Sequence, residues 1–499
     1  MGRQTNPPYV LSIDQGTTGS TVLLVDSHGE IAARSYRELR QHYPHPGWIE
    51  QNPDEIFEQT LAAILDVVDN YKTAATSIAA IGITNQRETT ILWERDTGKP
   101  IFPAIVWQCR RTVDECNELK DRGLEDDIRA KTGLVLDPYF SATKIAWILD
   151  RVDGAREQAE SGNLAFGTVD TWLLWNLTGG AVHATDYTNA SRTLLYNIER
   201  LAWDDELLDI FCIPKKILPE VCGSTRVFGT VKDIHPALNG LPIAAIAGDQ
   251  QAALFGQLCT NPGMAKNTYG TGCFLMLNTG EKRIHSDAGL LTTLACSLDD
   301  QPVYALEGSV FAAGAAVQWL RDGIEIVGSA AETEAIASSV MDTAGVAVVP
   351  AFTGLGAPYW NANARGAITG LTRGTTRSHI VRATLESIAF QTADLVDAMT
   401  REFGTTHSRL RVDGGAAENN FLMQFQADIL GMDVERPRQI ESTGLGAAFL
   451  AGLTCGVWER IEELESSRKV DRVFSSNMND AERREKLTVW KDAVRRVMI

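Results

Sequence analysis

Asp14-Gln15-Gly16-Thr17-Thr18-Gly19-Ser20 stands between two apolar runs, residues 9–14 and 21–26, and its reading decides the fold. Apolar runs of this length on either side of a Gly/Thr cluster predict two strands joined by a tight turn. Glycines there let backbone amides and small hydroxyls approach a phosphate closely. An ordinary hairpin with Asp14 closing an Asx turn is the alternative reading of the segment alone. A second turn of this kind, Gly270-Thr271-Gly272 within a hairpin over residues 265–278, supports the phosphate reading. Two such turns, one per half of the chain, could hold a triphosphate from both sides without the lysine of a P-loop, and no P-loop sequence is present. Val412-Asp413-Gly414-Gly415-Ala416, with Asn419 and Asn420 opening a helix, reads as a strand-to-helix turn open enough for an adenosine ring or its ribose, or simply as a tight helix start.

Working outward, the first half predicts strands over 9–14, 21–26 and 30–39, a helix over 54–71, strands over 78–84 and 89–94, and a polar helix over 111–121. The second half repeats the theme: the hairpin at 265–278, strands at 290–296 and 302–310, and a helix over 311–321. A strand at 346–352, a helix over 379–399, a strand at 410–413 and a helix after Gly415 follow. Similar element order suggests a structural duplication, with the boundary near residues 249–256, giving domains over 1–252 and 253–499. Leu487, Trp490, Val494 and Val497 recur at helical spacing after Asn479 or Asp480 as a cap, which predicts a terminal packing helix.

The chain has 499 residues, 44% of them hydrophobic, enough for large cores. Its formal net charge of −18 opposes nucleic-acid backbones and anionic membrane surfaces. Eight cysteines are scattered without a C-x-x-C pair or a His-Cys cluster, so reduced thiols and a cytoplasmic location are expected. The opening MGRQTNPPYV has neither a signal-peptide core nor a myristoylation motif, and no run is long enough for a membrane span.

Together the three turns resemble the actin, Hsp70 and sugar-kinase superfamily. Ile83 through Thr90, Trp107-Gln108-Cys109-Arg110-Arg111, Asp137 through Ser141, Gly248 through Gly256 and Lys266 through Phe274 narrow the resemblance to the glycerol kinases of the FGGY carbohydrate kinase family, almost end to end. The resemblance implies an α/β fold of two ribonuclease-H-like, actin-like ATPase domains with a nucleotide and substrate cleft between them. It implies ATP and Mg²⁺ as cofactors, glycerol as substrate, and a homo-oligomer, dimer or tetramer. Arg87, Glu88, Tyr139, Asp249 and Gln250 would contact the polyol, with Trp107 and Phe274 against its carbons. Asp14, Gln15, Gly16, Thr17, Thr18, Thr271, Gly314, Gln318, Gly415 and Asn419 would hold the nucleotide, and Asp14 and Asp249 would support Mg²⁺, directly or through water.

A triol needs both donors and acceptors, and apolar walls exclude the water that would compete for the phosphoryl group. Asp249 is the candidate general base, against a structural carboxylate or helix cap. A surface ion pair is the alternative for Arg87 with Glu88, and core packing for the two aromatics. Neighbouring residues on a strand point to opposite faces, so Arg87 and Glu88 can share a ligand only across a turn, which is predicted there. A kinase for another polyol, a pentulose or gluconate, and a noncatalytic actin-like ATP switch are the rival readings. Two departures from the family stand out: Thr21 replaces an arginine of the first hairpin, and the Gly/Lys/Arg-rich segment that binds fructose 1,6-bisphosphate is absent between Val231 and Pro242. His235 in that stretch lacks the context of the phosphorylated histidine of some members and is expected to be a solvated loop residue.

Overall fold

The computed structural model describes residues 8–71, 77–298, 301–361, 363–404 and 409–498, so the opening segment read for targeting signals lies almost wholly outside the described residues. The chain forms two compact units, Met1–Leu258 with Thr292–Tyr304 and Thr443–Arg468, and Cys259–Leu291 with Ala305–Ser442 and Lys469–Ile499.

The first unit is built on strands β1 (Tyr9–Gln15), β2 (Gly19–Val25), β3 (Ile31–Glu38), β4 (Ile78–Asn85), β5 (Thr225–Thr230) and β6 (Pro242–Gly248), in the spatial order β5-β6-β4-β1-β2-β3. β1 pairs antiparallel with β2 and parallel with β4, β4 is parallel to β6, and β5 returns antiparallel to β6. Strand alternation divides the apolar residues between two layers. Leu11, Ile13, Val22 and Leu24 pack with Ile56, Ile64 and Val67 of the helix Pro53–Asn70, whereas Val10, Leu23 and Val25 pack with Leu445, Ala448 and Phe449 of the helix Ser442–Thr454. Burial on both faces explains why β2 is buried at every position and reads as one apolar run.

The second unit repeats this plan with β7 (Ala265–Tyr269), β8 (Cys273–Gly280), β9 (Val303–Val310), β10 (Arg409–Asp413), β11 (Asp433–Pro437) and β12 (Val470–Phe474), whose order is β9-β8-β7-β10-β11-β12. β7 is antiparallel to β8 and parallel to β10, β10 is parallel to β11, and β12 is antiparallel to β11. Each of these six strands has a counterpart in the first sheet, so the expected duplication is a duplication of topology; a seventh strand, Leu291–Ala295, continues this sheet beyond β9 and has none. Among the shared strands one connection differs: the outer antiparallel strand precedes its neighbour in the first unit and follows it in the second. The 27-residue helix Arg377–Phe403 runs through the second core, where Phe390 stacks on Trp490 of the terminal helix Asp480–Val497 at 5.4 Å. Asn479 caps that helix by accepting from the amides of Ala481 and Glu482, as its sequence position indicates.

Several predicted elements are shorter than expected. The strand at 346–352 is only Ala347–Val349, because Pro350 has no amide hydrogen to continue a ladder. The helix expected over 311–321 is α-helical only at Gly314–Gln318 and then widens into a π turn at Trp319–Gly323. Residues before Gly314 are instead tied to the second hairpin, with the Ala313 amide donating to the Thr271 carbonyl at 2.9 Å. The strand at 89–94 begins only at Ile91, since residues 86–90 form a turn.

Sheet and helix meet most closely at Gly82, where an added Cβ would lie 2.2 Å from the Ala447 carbonyl oxygen. Gly82→Ala should therefore push the helix Ser442–Thr454 off the sheet and cost about 1–3 kcal/mol or more, as overpacking does. A denaturant midpoint equal to wild type would show that the layers are not in rigid contact.

Candidate active site

In the first sheet β1, β4 and β6 are parallel neighbours that end together, Gln15 opposite Asn85 and Asn85 opposite Gly248. Polar residues at this edge have left the ladder or are about to leave it, which is where open α/β sheets bind ligands. β1 delivers Asp14 and the Gly/Thr turn, β4 delivers Arg87 and Glu88, and β6 delivers Asp249.

The turn after β1 closes with the Gly16 amide on the Gly19 carbonyl at 2.9 Å. Gly19 cannot be replaced, because a Cβ would lie 2.4 Å from the Arg37 carbonyl oxygen on β3. Backbone carbonyls at the tip are fixed from behind: Thr17 accepts from Gln51 Nε2 at 2.6 Å and from Gln41 Nε2 at 3.3 Å, and Thr18 from the Tyr36 hydroxyl at 3.0 Å. With its carbonyls held in the protein, the tip leaves the Thr18 side chain exposed. Thr21 faces Asp14 across the hairpin, while the nearby Arg37 is committed to both oxygens of Asp66.

Past the end of β4 the chain turns at Glu88, whose φ of +62° is rare for a side chain of this size. The Thr89 amide donates to the Arg87 carbonyl at 2.7 Å, and the hydroxyls of Thr90 and Ser141 both donate to the Glu88 carbonyl at 3.1 Å. Such backbone strain persists only where its surroundings hold it, and it clusters at functional sites. The turn expected from the Arg87–Glu88 pair is thus present. Neither residue is at the surface, being 2% and 1% exposed, which excludes a surface ion pair.

Arg87 Nε lies 2.9 Å from Asp249 Oδ1 and its Nη1 donates to Gln251 Oε1 at 3.1 Å. Asp249 opens the helix Asp249–Gly256, and the same Oδ1 accepts from the Gln250 amide at 2.7 Å. Its side chain keeps 27% exposure. Gly248 makes the close approach possible, since a Cβ there would lie 2.6 Å from Arg87 Cδ.

Tyr139 packs 5.3 Å from the Trp107 ring, and the Trp107 indole donates to Thr17 Oγ1 at 2.8 Å, so one aromatic joins Tyr139 to the Gly/Thr turn. Trp107 is part of neither large core cluster of the unit. Tyr139 is anchored by Lys144, whose ammonium donates to the Tyr139 carbonyl at 2.8 Å. Complete burial pushes the Lys144 pKa down to about 8, partly opposed by the Glu88 charge.

Sequence reasoning missed Arg192, Gln251 and Lys144. Arg192 is fully buried, donates from Nε to Glu88 Oε1 at 2.6 Å, and sits 5.5 Å over the Tyr139 ring and 5.2 Å over that of Phe140. A lone arginine in the otherwise uncharged run Tyr187 through Asn197 was the available signal.

The second unit assembles its own set. Gly270 N donates to Gly272 O at 2.9 Å, leaving Thr271 exposed at the tip, as Thr18 is in the first unit. Gly314 fits against this turn only without a side chain: a Cβ would lie 2.6 Å from the Gly270 carbonyl oxygen. Gln318 is exposed on the same short helix. β10 ends beside β7, with Asp413 opposite Thr268, and Gly414 has a φ of +83°. At Gly415 an added Cβ would meet no heavy atom within 4 Å, so this residue borders open space. Asn419 caps the helix Asn420–Leu430 through Leu422 N at 3.0 Å and donates to Thr333 Oγ1 at 3.1 Å, so its amide shapes the turn. Phe274 lies on β8 opposite Thr268, half-buried and separate from the core cluster. His235 is partly exposed in the turn between β5 and β6, where its Nδ1 accepts from Ala237 N at 3.3 Å.

Two α/β units of one topology, each carrying a Gly/Thr hairpin at the edge where its parallel strands end, define the actin-like ATPase class. Residues 9–256 match the N-terminal domain of the FGGY family of carbohydrate kinases, and residues 265–455 match its C-terminal domain. The chain belongs to the FGGY family of carbohydrate kinases. It is 58% identical over 489 residues to glycerol kinase 2 of Thermotoga maritima, covering 98% of each chain. It is 56% identical over 494 residues to glycerol kinase of Salmonella paratyphi B, covering 99% of this chain and 98% of the other. Among solved structures it is similar to Plasmodium falciparum glycerol kinase with ADP, with a TM-score of 0.93 at 41% identity and 99% of each chain covered.

Arg192→Met keeps the apolar stem and removes the charge beside Glu88. Stranding one member of a buried ion pair typically costs about 3–5 kcal/mol, so the denaturation midpoint should fall accordingly. An unchanged midpoint would show that Arg87 alone holds Glu88.

Proposed function

We propose that this protein transfers the γ-phosphoryl group of ATP to a terminal hydroxyl of glycerol, giving sn-glycerol 3-phosphate and ADP. The observation that carries the reading is the buried Arg87–Glu88 turn, held against Asp249 at the sheet edge that also bears the Gly/Thr hairpin. Two adjacent charged groups of opposite sign, turned to one side, offer a donor and an acceptor to neighbouring hydroxyls. Tyr139 adds a phenol, Gln250 an amide, and Trp107 and Phe274 apolar surface. An ATP switch without an acceptor has no use for burying these charges, whose desolvation is costly.

In the transfer, Asp249 accepts the proton of the attacking hydroxyl, that oxygen bonds to Pγ, and the bond from Pγ to the β,γ-bridging oxygen breaks to release ADP. Arg87 and the Gln250 amide hold Asp249 Oδ1, which leaves Oδ2 for the proton. Thr17, Thr18 and the Asp14–Gly16 backbone hold phosphate from the first unit, and Thr271 from the second. Gly314, Gln318, Gly415 and Asn419 surround adenosine.

Among the described residues no three His, Cys, Asp or Glu side chains form a metal cage. That fits Mg²⁺, which keeps several waters and is bound largely through the nucleotide's own phosphates. Asp14 and Asp249 lie at the ends of β1 and β6, with only β4 between them, roughly 10 Å apart at a strand spacing of ~4.8 Å. They would hold such a hydrated cation from two sides, and Mg²⁺ would neutralise phosphate charge. Functionally, residues 1–252 supply the acceptor site and first phosphate turn, and 253–499 the adenosine site and second turn. A cytoplasmic protein feeding glycerol catabolism as a homo-oligomer, dimer or tetramer, completes the proposal; among the described residues the cysteines are reduced thiols and no helix is long and apolar enough to cross a membrane.

The test is ADP release from Mg-ATP with glycerol, dihydroxyacetone, xylulose, ribulose, gluconate or no acceptor. Glycerol should give the strongest stimulation; a pentulose or gluconate in its place would overturn the substrate, and acceptor-independent hydrolysis the kinase reading. Asp249→Asn should lower turnover by about 10²–10⁴-fold, the usual general-base contribution, with a near-normal melting point. Near-normal turnover would remove Asp249 from the proton transfer.

A further inference from the structure

Every side-chain polar atom of Gln86 is hydrogen-bonded, to Gln15 before the Gly/Thr turn, to Thr89 after the Glu88 turn and to Gln51 beside them. Its Nε2 donates to Gln15 Oε1 at 3.1 Å and to Gln51 Oε1 at 2.9 Å, and its Oε1 accepts from Thr89 Oγ1 at 3.1 Å. Its backbone amide donates to the Gln15 carbonyl at 2.7 Å. Gln51 passes the connection on through Nε2 to the Thr17 carbonyl at 2.6 Å, and Gln15 through Nε2 to the Gly16 carbonyl at 2.8 Å. On the other side Thr89 Oγ1 accepts from the Trp107 amide at 3.2 Å, and the Trp107 indole returns to Thr17 Oγ1 at 2.8 Å.

The circuit has one possible sense. A carbonyl can only accept, so Gln51 must turn its nitrogen to Thr17 and its oxygen to Gln86. Gln86 must then direct both amide hydrogens to the two glutamine oxygens, which leaves its own oxygen for the Thr89 hydroxyl. With that hydrogen engaged, the Thr89 oxygen is an acceptor for Trp107. Flipping any amide breaks at least two bonds in a place where unpaired polar groups are strongly destabilising. Gln15, Gln51, Gln86 and Thr89 are all 0–1% exposed, so water does not replace a lost bond.

We propose that Gln86 is a positioning residue that locks the Thr17 turn and the Arg87–Glu88 turn into a single register, setting the phosphate subsite against the acceptor subsite. The inference rests on reading the Gly/Thr turn as a phosphate subsite. Gln86 itself touches no reactant; it acts through Thr17 on one side and through residues 87–89 on the other.

Gln86→Met and Gln51→Met keep side-chain size and remove the amide, and the test compares each, and the double variant, with wild type by Mg-ADP titration and glycerol-dependent steady-state kinetics. A misplacement of about 1 Å costs on the order of 10²-fold. Gln86→Met should lower kcat by about 10–100-fold and weaken Mg-ADP binding by about tenfold, with the glycerol KM changed less than about threefold. The double variant should lose no more than Gln86→Met, because members of one network are not additive. Unchanged Mg-ADP affinity, or losses that multiply in the double variant, would overturn the proposal. Should Gln86→Met fail to fold, Thr89→Val opens the same circuit at its hydroxyl, with the same pattern expected and the same outcomes against it. A wild type that glycerol does not stimulate rejects the substrate, while the Mg-ADP titration still decides the circuit.

Discussion

Three parallel strands that stop at the same level are the constraint on which the first unit's chemistry depends. Inside the ladder, β1, β4 and β6 must alternate their side chains between two apolar layers. Beyond Gln15, Asn85 and Gly248 that obligation ends, and each chain segment can turn its next residues to polar work. The Gly/Thr turn, the strained Glu88 turn and the helix begun by Asp249 are three uses of one freedom. Glycines decide how closely the three approach, because Gly19 and Gly248 each admit a neighbour that any side chain would displace.

Burying Arg87, Glu88, Arg192 and Lys144 would be ruinous for any one of them alone. Each is tolerable because the others, or a carbonyl, complete its bonding: Glu88 between two arginines, Arg87 also on Asp249 and Gln251, Lys144 on the Tyr139 carbonyl. The arrangement contributes rigidity more than stability. A site meant to hold hydroxyls through phosphoryl transfer gains from donors and acceptors that need not reorganise.

How much of this the sequence revealed follows from how local each signal is. The hairpins, their exposed threonines and the Arg87–Glu88 bend were legible, since glycine spacing and strand alternation act over a few residues. The shared plan of the two sheets was legible in element order, although the reversed position of the outer strand was not. Arg192 and Gln51 were invisible as site residues because their meaning comes from partners far along the chain, Glu88 and Gln86. Neither aromatic assigned to the polyol could be separated from core by sequence alone; in the structure Trp107 bonds to Thr17 and stands outside the large cores. The family resemblance is what assigns Asn419 to the nucleotide; in the fold its side-chain amide caps a helix and holds Thr333.

The most direct measurement of the central claim is the identity of the product. Incubation with Mg-ATP and glycerol, followed by an enzymatic assay that consumes only the sn-3 isomer of glycerol phosphate, should recover one sn-glycerol 3-phosphate for each ADP formed. ADP formed without phosphorylated glycerol, or with a mixture of glycerol phosphate isomers, would contradict an acceptor held by Arg87, Glu88 and Asp249 in one fixed orientation.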